Sequence, residues 1–308
     1  MNTDRLISGL AEDFARRFMD VLAAQLPKQE RTYGFEYEFL PDRPMEITDL
    51  TAVEDLLASF GKRGKNCVFF ENGTAVGFEP GGQIEYCSPP FSAHDESSVD
   101  EVIEFMQEMN EKIKNELGIG YLARGYLPGR KDAPLCLTTD RYVNLHRRLA
   151  KSGTRGHEMM KATAAIHLHV AICSVAELLD LFYRLCELTG HEMFKMSEAR
   201  SDIWKKTDDT RCGRPPCCSE LMDDPAVLIE RLVRFGLNAV SLDEEKPFYM
   251  ASDRSFENFL YHMTTIFTDV RFNLKGTTLE LRTPDSIPPA KFKPMWRQFI
   301  EMTETISQ

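Results

Sequence analysis

Gly34-Phe35-Glu36-Tyr37-Glu38-Phe39 sets aromatic residues and glutamates in strict alternation. Side chains alternate faces along a strand, so Phe35, Tyr37 and Phe39 point one way and Glu36 and Glu38 the other, with the two carboxylates roughly 7 Å apart. Thr32 to Leu40 therefore reads as a strand whose aromatic side is buried and whose acidic side takes its meaning from its neighbours. Alone, such a strand would be an ordinary sheet member with a solvated polar face. Other segments repeat the pattern. Glu79 and Glu85 flank the Gly81-Gly82 turn in Glu79-Pro-Gly-Gly-Gln-Ile-Glu85. His167 and His169 share a face opposite Ile166, Leu168 and Val170, and Glu280 and Arg282 share one opposite Leu279 and Leu281. If these faces line one groove, it holds five carboxylates, two imidazoles and a guanidinium.

Outward from that strand, hydrophobic residues at helical spacing from Leu6 to Leu26 predict an opening amphipathic helix ended by Pro27. Asp49 is expected to cap a helix stopping near Gly61. Residues 66–88 read as a β-meander with turns at Asn72-Gly73 and Gly81-Gly82. A long helix over Glu96 to Leu117 closes at Gly118. Further along come a short strand at Tyr121–Tyr126, a helix at Asp140–Leu149, a strand over 162–172 and a helix from Ser174 to Thr189. Arg200 to Asp223, rich in Asp, Arg, Gly and Pro, reads as a long loop. Helical patterns return at 225–237 and 255–262. The segments 269–274 and 277–283 form a hairpin around Lys275-Gly276, and a last helix covers about Ala290 to Ile306. The sum is an α+β fold: an antiparallel-rich sheet with helices on one side, its hairpins breaking the alternation that a doubly wound sheet requires.

The 308 residues are 43% hydrophobic and 28% charged, and no linker or repeat divides them, so one domain over residues 1–308 is expected. A net charge of −11 leaves no basic excess to neutralise nucleic-acid phosphates. The sequence has no signal-peptide layout and no apolar run long enough for a bilayer, which predicts a cytoplasmic protein with no membrane partner. Its eight cysteines then read as reduced thiols. Cys212, Cys217 and Cys218 lack the paired spacing of a zinc site.

Carboxylate oxygens are the hard ligands that Mg²⁺ or Mn²⁺ takes when phosphates complete its shell. Carboxylates packed together raise one another's pKa unless cations neutralise them. Divalent ions holding a nucleotide triphosphate satisfy both conditions, and no Gly-rich Lys loop is present to hold the phosphates instead.

These residues resemble the glutamate–cysteine ligases, particularly their plant and proteobacterial branch. The likeness rests on Gly34–Glu38, Glu79–Glu85, Glu116–Gly120, Met159-Met160, Arg200–Trp204, Thr207–Gly213, His262–Phe267 and Leu279–Arg282, in collinear order from about residue 30 to 300. It implies a glutamine synthetase-like fold, a curved antiparallel sheet whose concave face holds ATP and metals and whose outer face carries the helices. It also implies that the γ-carboxylate of glutamate is joined to the amine of cysteine through an acyl phosphate. Glu36, His167 and Glu280 would hold one metal, and Glu38, Glu79 and Glu85 another. Arg282, with Glu36 and Glu280, would form the catalytic set. Arg282 and Gln83 would contact ATP, and Arg200, Arg211 and His169 the substrates, Arg offering carboxylates a bidentate fork. The plant branch carries Gln and Asn where His167 and His169 stand, a His at the first position being similar to more distant bacterial branches, and His146 and Ala162 stand where the resemblance leads one to expect Arg. The chain also ends soon after the Glu280 strand, whereas larger relatives continue. These departures leave room for an amine other than cysteine. A phosphagen-kinase-like phosphotransferase and a non-catalytic nucleotide-binding relative are the readings from other classes. Cys87 and Trp204 read as packing residues, and Asp208 and Asp209 as loop caps.

Overall fold

The computed structural model describes residues 3–28 and 30–304. The chain opens with α1 (Thr3–Ala24), β1 (Tyr33–Pro41), α2 (Ile47–Ala58), β2 (Lys62–Arg63), β3 (Val68–Phe69), β4 (Ala75–Phe78), β5 (Ile84–Cys87) and α3 (Glu96–Leu117). It continues through β6 (Tyr121–Leu122), α4 (Asp140–Lys151), α5 (Gly156–Ala162), β7 (Ile166–Ala171), α6 (Leu178–Leu188), α7 (Glu198–Lys205) and β8 (Cys212–Gly213). Last come α8 (Pro225–Asn238), α9 (Phe256–Met263), β9 (Phe267–Thr268), β10 (Val270–Asn273), β11 (Thr278–Leu281) and α10 (Phe292–Glu304).

The main sheet has the order β10-β11-β7-β1-β5-β4-β3-β2, with β6 pairing to β1. Every pairing in it is antiparallel. The α+β, mainly antiparallel expectation is met. β1 lies centrally because its aromatic side needs cover from both directions. Tyr33, Phe35, Tyr37 and Phe39 are all buried. Phe292 and Trp296 of α10 close over Phe35 with ring centroids 4.7 and 5.5 Å away, within the range of favourable aromatic contact. Helix α3 covers the next strand: Phe105 lies 6.3 Å from Tyr86, whose hydroxyl donates to Asn110. Capped by Asp95 and ended by Gly118 at φ +68°, α3 has the predicted bounds.

A second apolar cluster gathers Leu145 and Leu149 of α4, Met159 and Met160 of α5, and Ile203 of α7. These helices roof the acidic face, so helices stand on both sides of the sheet and not on its outer side alone. Neither α5 nor α7 was expected. The segment from Arg200, read as a loop, begins inside α7, and the irregular chain follows Lys205. Helix α2 starts at Ile47 with Glu46 as its cap; Asp49 sits one turn in, where its side chain accepts from the Glu46 amide in a capping box. Helix α6 begins at Leu178, later than Ser174, and Glu177 accepts the Cys173 and Ser174 amides ahead of it. Cys186 of α6 is disulfide-bonded to Cys218, which corrects the expectation that all cysteines stay reduced and removes a premise of the cytoplasmic placement. No helix among the described residues is long and apolar enough to cross a membrane.

Candidate active site

Strand register assembles the acidic face. Across β1 and β7, Glu36 lies opposite His167; across β1 and β5, Glu38 lies opposite Glu85. Directly opposed residues share a face, so Glu36, Glu38, Glu85 and His167 come together over the sheet centre. Glu79 follows the end of β4 and is brought in by the turn to β5. Gly82 holds φ +83°, a conformation that favours glycine, and donates its amide to the Glu79 carbonyl. A Cβ on Gly81 would lie 2.7 Å from the backbone of Lys161, so the turn packs directly on the end of α5.

Two groups of ligand atoms each lie within 4.8 Å of one another: Glu36, Glu85 and His167, and Glu38, Glu79 and Glu85. Glu85 belongs to both. Burial and the neighbouring Glu38 push the Glu79 carboxyl up to about 8, with Arg282 pulling the other way. Burial, then Glu36, Glu79 and Glu38, raise Glu85 well above the carboxylate range. Glu36 goes the other way: burial would raise it, but His169 and His167 hold it well below. Burial and Arg282 lower the pKa of His167, which leaves its imidazole neutral as a metal ligand must be. Its Nδ1 lies 2.7 Å from Glu36 Oε2. Glu38 accepts the Ala165 amide on Oε2, which leaves Oε1 toward His167. Four carboxylates, two of them (Glu79 and Glu85) pushed toward their protonated forms while no metal cation is near, make with one neutral imidazole a donor set that fits Mg²⁺ or Mn²⁺.

This face floors a cavity of about 220 Å³, open to solvent. The opposite wall carries Tyr142 and Leu145 from α4, Met159 and Met160 from α5, Trp204 from α7, and Phe267 of β9. A concave site with a charged floor and an apolar wall suits a small molecule that has both characters.

Several expected site residues stand elsewhere. Glu280 belongs to neither ligand group and does not line the cavity; Glu85 takes its place beside Glu36 and His167. Its side chain is fully buried, and its Oε2 accepts from Arg271 Nε at 2.7 Å and Arg282 Nη1 at 3.1 Å. His169 does not line the cavity either, and lies between Glu36 Oε1 at 3.5 Å and Glu280 Oε1 at 3.8 Å. Burial would lower its pKa, yet Glu280 and Glu36 raise it, so this imidazole serves the carboxylates from behind. Gln83 has both ends of its amide engaged inside the protein. Its Oε1 accepts the Gly81 amide, and Nε2 donates to the Met160 and Thr163 carbonyls, so it fastens the turn to α5 and offers no free amide to ATP.

Arg211 is wholly buried away from the cavity, donating to Asp208, to Thr265 and to the Val240 carbonyl. Asp208 caps Thr210 as expected and also accepts from Arg148. Arg200 does line the cavity, but its Nη atoms bind the carbonyls of Arg282, Thr283 and Pro284 and the Asp285 carboxylate. Its guanidinium stacks 4.8 Å above Trp204. Arg282 lines the cavity as expected. Arg271 and Arg141, absent from the sequence-based site, line it too. Arg271 had a signal: the hairpin around Lys275-Gly276 sets it directly opposite Glu280. Arg141 had none, because its place follows from how α4 docks over the sheet.

For a chain with this acidic, roofed cavity, comparison with known sequences gives the family. Residues 32–192 match the profile of glutamate-cysteine ligase family 2 (GCS2), and the chain belongs to that family. Among curated proteins it is 25% identical over 304 aligned positions to the chloroplastic glutamate–cysteine ligase of Nicotiana tabacum, covering 84% of this chain and 55% of that protein. The Medicago truncatula enzyme of the same name is also 25% identical, with 57% of its length covered, and that of Arabidopsis thaliana is 24% identical. The chain thus spans about half the length of the curated relatives it matches.

Proposed function

We propose that this chain is an ATP-dependent carboxylate–amine ligase built on a glutamine synthetase-like sheet, forming a γ-glutamyl amide through an acyl phosphate. The observation that carries the reading is the pair of overlapping carboxylate clusters sharing Glu85, set beside Arg282 in one open cavity. Glu36, Glu85 and His167 would hold one Mg²⁺ or Mn²⁺ and Glu38, Glu79 and Glu85 a second; bound there, such ions neutralise phosphate charge during transfer. Arg282 faces the same space and supplies a fixed positive charge to the phosphoryl group as it moves to the substrate carboxylate. The amine then attacks the acyl carbon and phosphate leaves, a far better leaving group than oxide. The roof of α4, α5 and α7 limits water at the acyl phosphate and so favours the amine over hydrolysis. Among the described residues no cysteine lines the cavity, in keeping with a route that needs no enzyme nucleophile. Glutamate as donor and cysteine as acceptor follow the names of the relatives.

The test supplies Mg²⁺-ATP and glutamate with each amino acid or small amine in turn, measuring ADP release and identifying products by mass spectrometry. γ-Glutamylcysteine, abolished in Glu36→Ala, is the expected product. Another γ-glutamyl amide keeps the mechanism and reassigns the amine. Silence with every glutamate combination, from protein shown to be folded, rejects the reading.

A further inference from the structure

The face that carries the carboxylates continues past the cavity. Glu36 lies directly opposite Cys87 of β5, Cys87 opposite Ala75 of β4, Ala75 opposite Phe69 of β3, and Phe69 opposite Lys62 of β2. Directly opposed residues share a face, so one cross-strand row leads from the Glu36–Glu85–His167 group to the edge of the sheet. A second row runs from Glu38 through Glu85 to Gly77. On the other face Val68, Val76, Ile84 and Tyr86 are buried, with α3 over Tyr86. The face of the two rows is open here: Cys87, Ala75 and Gly77 are partly exposed, and Phe69 is 50% exposed.

Gly77 answers to nothing inside the protein. β4 pairs with β5 at four consecutive positions, so no bulge requires it, and its φ is not positive. A Cβ there would meet the Asn66 carbonyl at 3.7 Å and Glu85 Oε2 at 3.9 Å, which are ordinary contacts. Glycine weakens a strand, and where no bulge or bend calls for it, it marks a close approach of something else to the backbone. The neighbouring ring is held in place by a second glycine. A Cβ on Gly64 would lie 2.7 Å from Cε2 of Phe69, so the ring rests against Gly64 and turns its remaining surface to solvent.

We propose that Ala75, Gly77 and Phe69 form a shelf for the base of the nucleotide, which lies flat over the two small residues and stacks on the Phe69 ring. The inference rests on the ligase reading above and deepens it. β3 lies two strands from Glu85, roughly 10 Å at the usual strand spacing, a gap that a ribose and the inner phosphate bridge while the outer phosphates stay at the metal ligands. Every base has a π-face, so one aromatic ring is enough to hold it. Lys62, directly opposite Phe69, sets an ammonium at the end of the row. An aromatic ring with a donor beside it suits a heterocycle with ring-nitrogen acceptors better than an aliphatic chain, and continuity with the carboxylate floor selects the heterocycle that is joined to phosphates.

The experiment uses the full chain with Mn²⁺, measuring ATP and inorganic tripolyphosphate affinities by titration calorimetry and counting bound Mn²⁺ in the same samples. The variants are Phe69→Ala, Phe69→Trp and Gly77→Ala, with thermal midpoints recorded before ligand is added. The wild type should bind ATP more tightly than tripolyphosphate, which has no base. Phe69→Ala should weaken ATP about tenfold or more, the scale of a lost stacking contact, with tripolyphosphate affinity and the Mn²⁺ count unchanged. Phe69→Trp should keep the wild-type ATP affinity. Gly77→Ala should raise the thermal midpoint, because the space admits the methyl group, and still weaken ATP alone. Phe69 is half exposed, so its truncation opens no core cavity; should Phe69→Ala nonetheless fail to fold, Gly77→Ala decides. Unchanged ATP affinity in Phe69→Ala would overturn the shelf, as would equal losses of ATP and tripolyphosphate, which would place the effect on the phosphates. A wild type that binds neither compound rejects the ligase reading and the shelf together, whereas one that binds both equally rejects the shelf alone.

Discussion

His262, on α9, packs its ring 4.9 Å from that of Phe248 and donates from Nε2 to the Gly236 carbonyl at 3.0 Å. Burial, reinforced by the charge of Arg211, lowers its pKa to about 4 from the usual 6.5. A histidine depressed in this way binds fewer protons folded than unfolded across the interval between those values. Its contribution is therefore complete above 6.5, falls as pH drops through the interval, and is gone below 4. The loss amounts to about 3 kcal/mol over the interval. Urea unfolding from pH 7 to pH 4 should show that slope, and His262→Gln should flatten it; equal slopes in both proteins would refute the assignment. His146, also depressed to about 4, by burial and by His157, titrates in the same interval, so the difference between the two proteins is the quantity to read. The buried Asp208–Arg211 pair does not interfere. Burial would raise Asp208, but hydrogen bonds from Arg148 and Thr210 and the charge of Arg211 bring it to about 2, so its contribution is lost only at more acid pH. Arg211 was expected at the substrate from the family resemblance and as a loop arginine with a bidentate fork; its burial against Thr265 and Val240 could be seen only in the packed structure.

At the scale of elements, the site depends on one turn fastened to one short helix. Gly81 and Gly82 carry Glu79 and Glu85 on their two sides, and Gln83 ties the turn to the end of α5. Gly81→Ala would push a methyl group against Lys161 and force the turn and helix apart. We expect a loss of about 1–3 kcal/mol in stability, as for overpacked cores. We also expect weaker Mn²⁺ binding, measurable by calorimetry, because the displaced turn carries ligands of both groups. Stability lost with Mn²⁺ affinity unchanged would show that the turn does not position them. The turn was legible from its glycines, as were β1 and α3 from strong periodicity and clear caps. Helix α5 was not, because Met159, Met160, Lys161 and Ala162 are all buried and leave no polar face to set the period. The partners of Glu36 were legible only in part. Which strand lies beside β1 is a long-range matter, and its register puts Glu280 opposite His169, one step farther from Glu36 than His167. A local reading sees like faces; it does not see the offset that sets Glu280 apart from Glu36 and beside Arg271.

Over the whole molecule, acidic residues exceed basic ones by 11, and the acidic floor adds a local cluster to that general excess. Such a cluster opposes folding while it stands without counter-ions, since crowded carboxylates must repel or take up protons. A divalent cation that binds only the folded chain reverses the effect by mass action, adding about 2.7 kcal/mol at a hundred times its Kd. In a chain of this size that is an upward shift of about 5 °C in Tm. The thermal midpoint should therefore rise with Mg²⁺ or Mn²⁺ and fall back with EDTA, at ionic strength matched with NaCl so that general screening is constant. Glu85→Gln distinguishes site binding from diffuse attraction, because Glu85 serves both ligand groups. Without metal, the variant should be at least as stable as the wild type, having lost one member of a repelling cluster. With saturating Mg²⁺ it should be the less stable of the two, having lost a ligand from each group. A crossing of the two Tm curves as Mg²⁺ is added is the expected signature. Parallel curves would mean that cations stabilise the protein through its overall charge, and the raised pKa values of Glu79 and Glu85 would then serve some purpose other than metal binding.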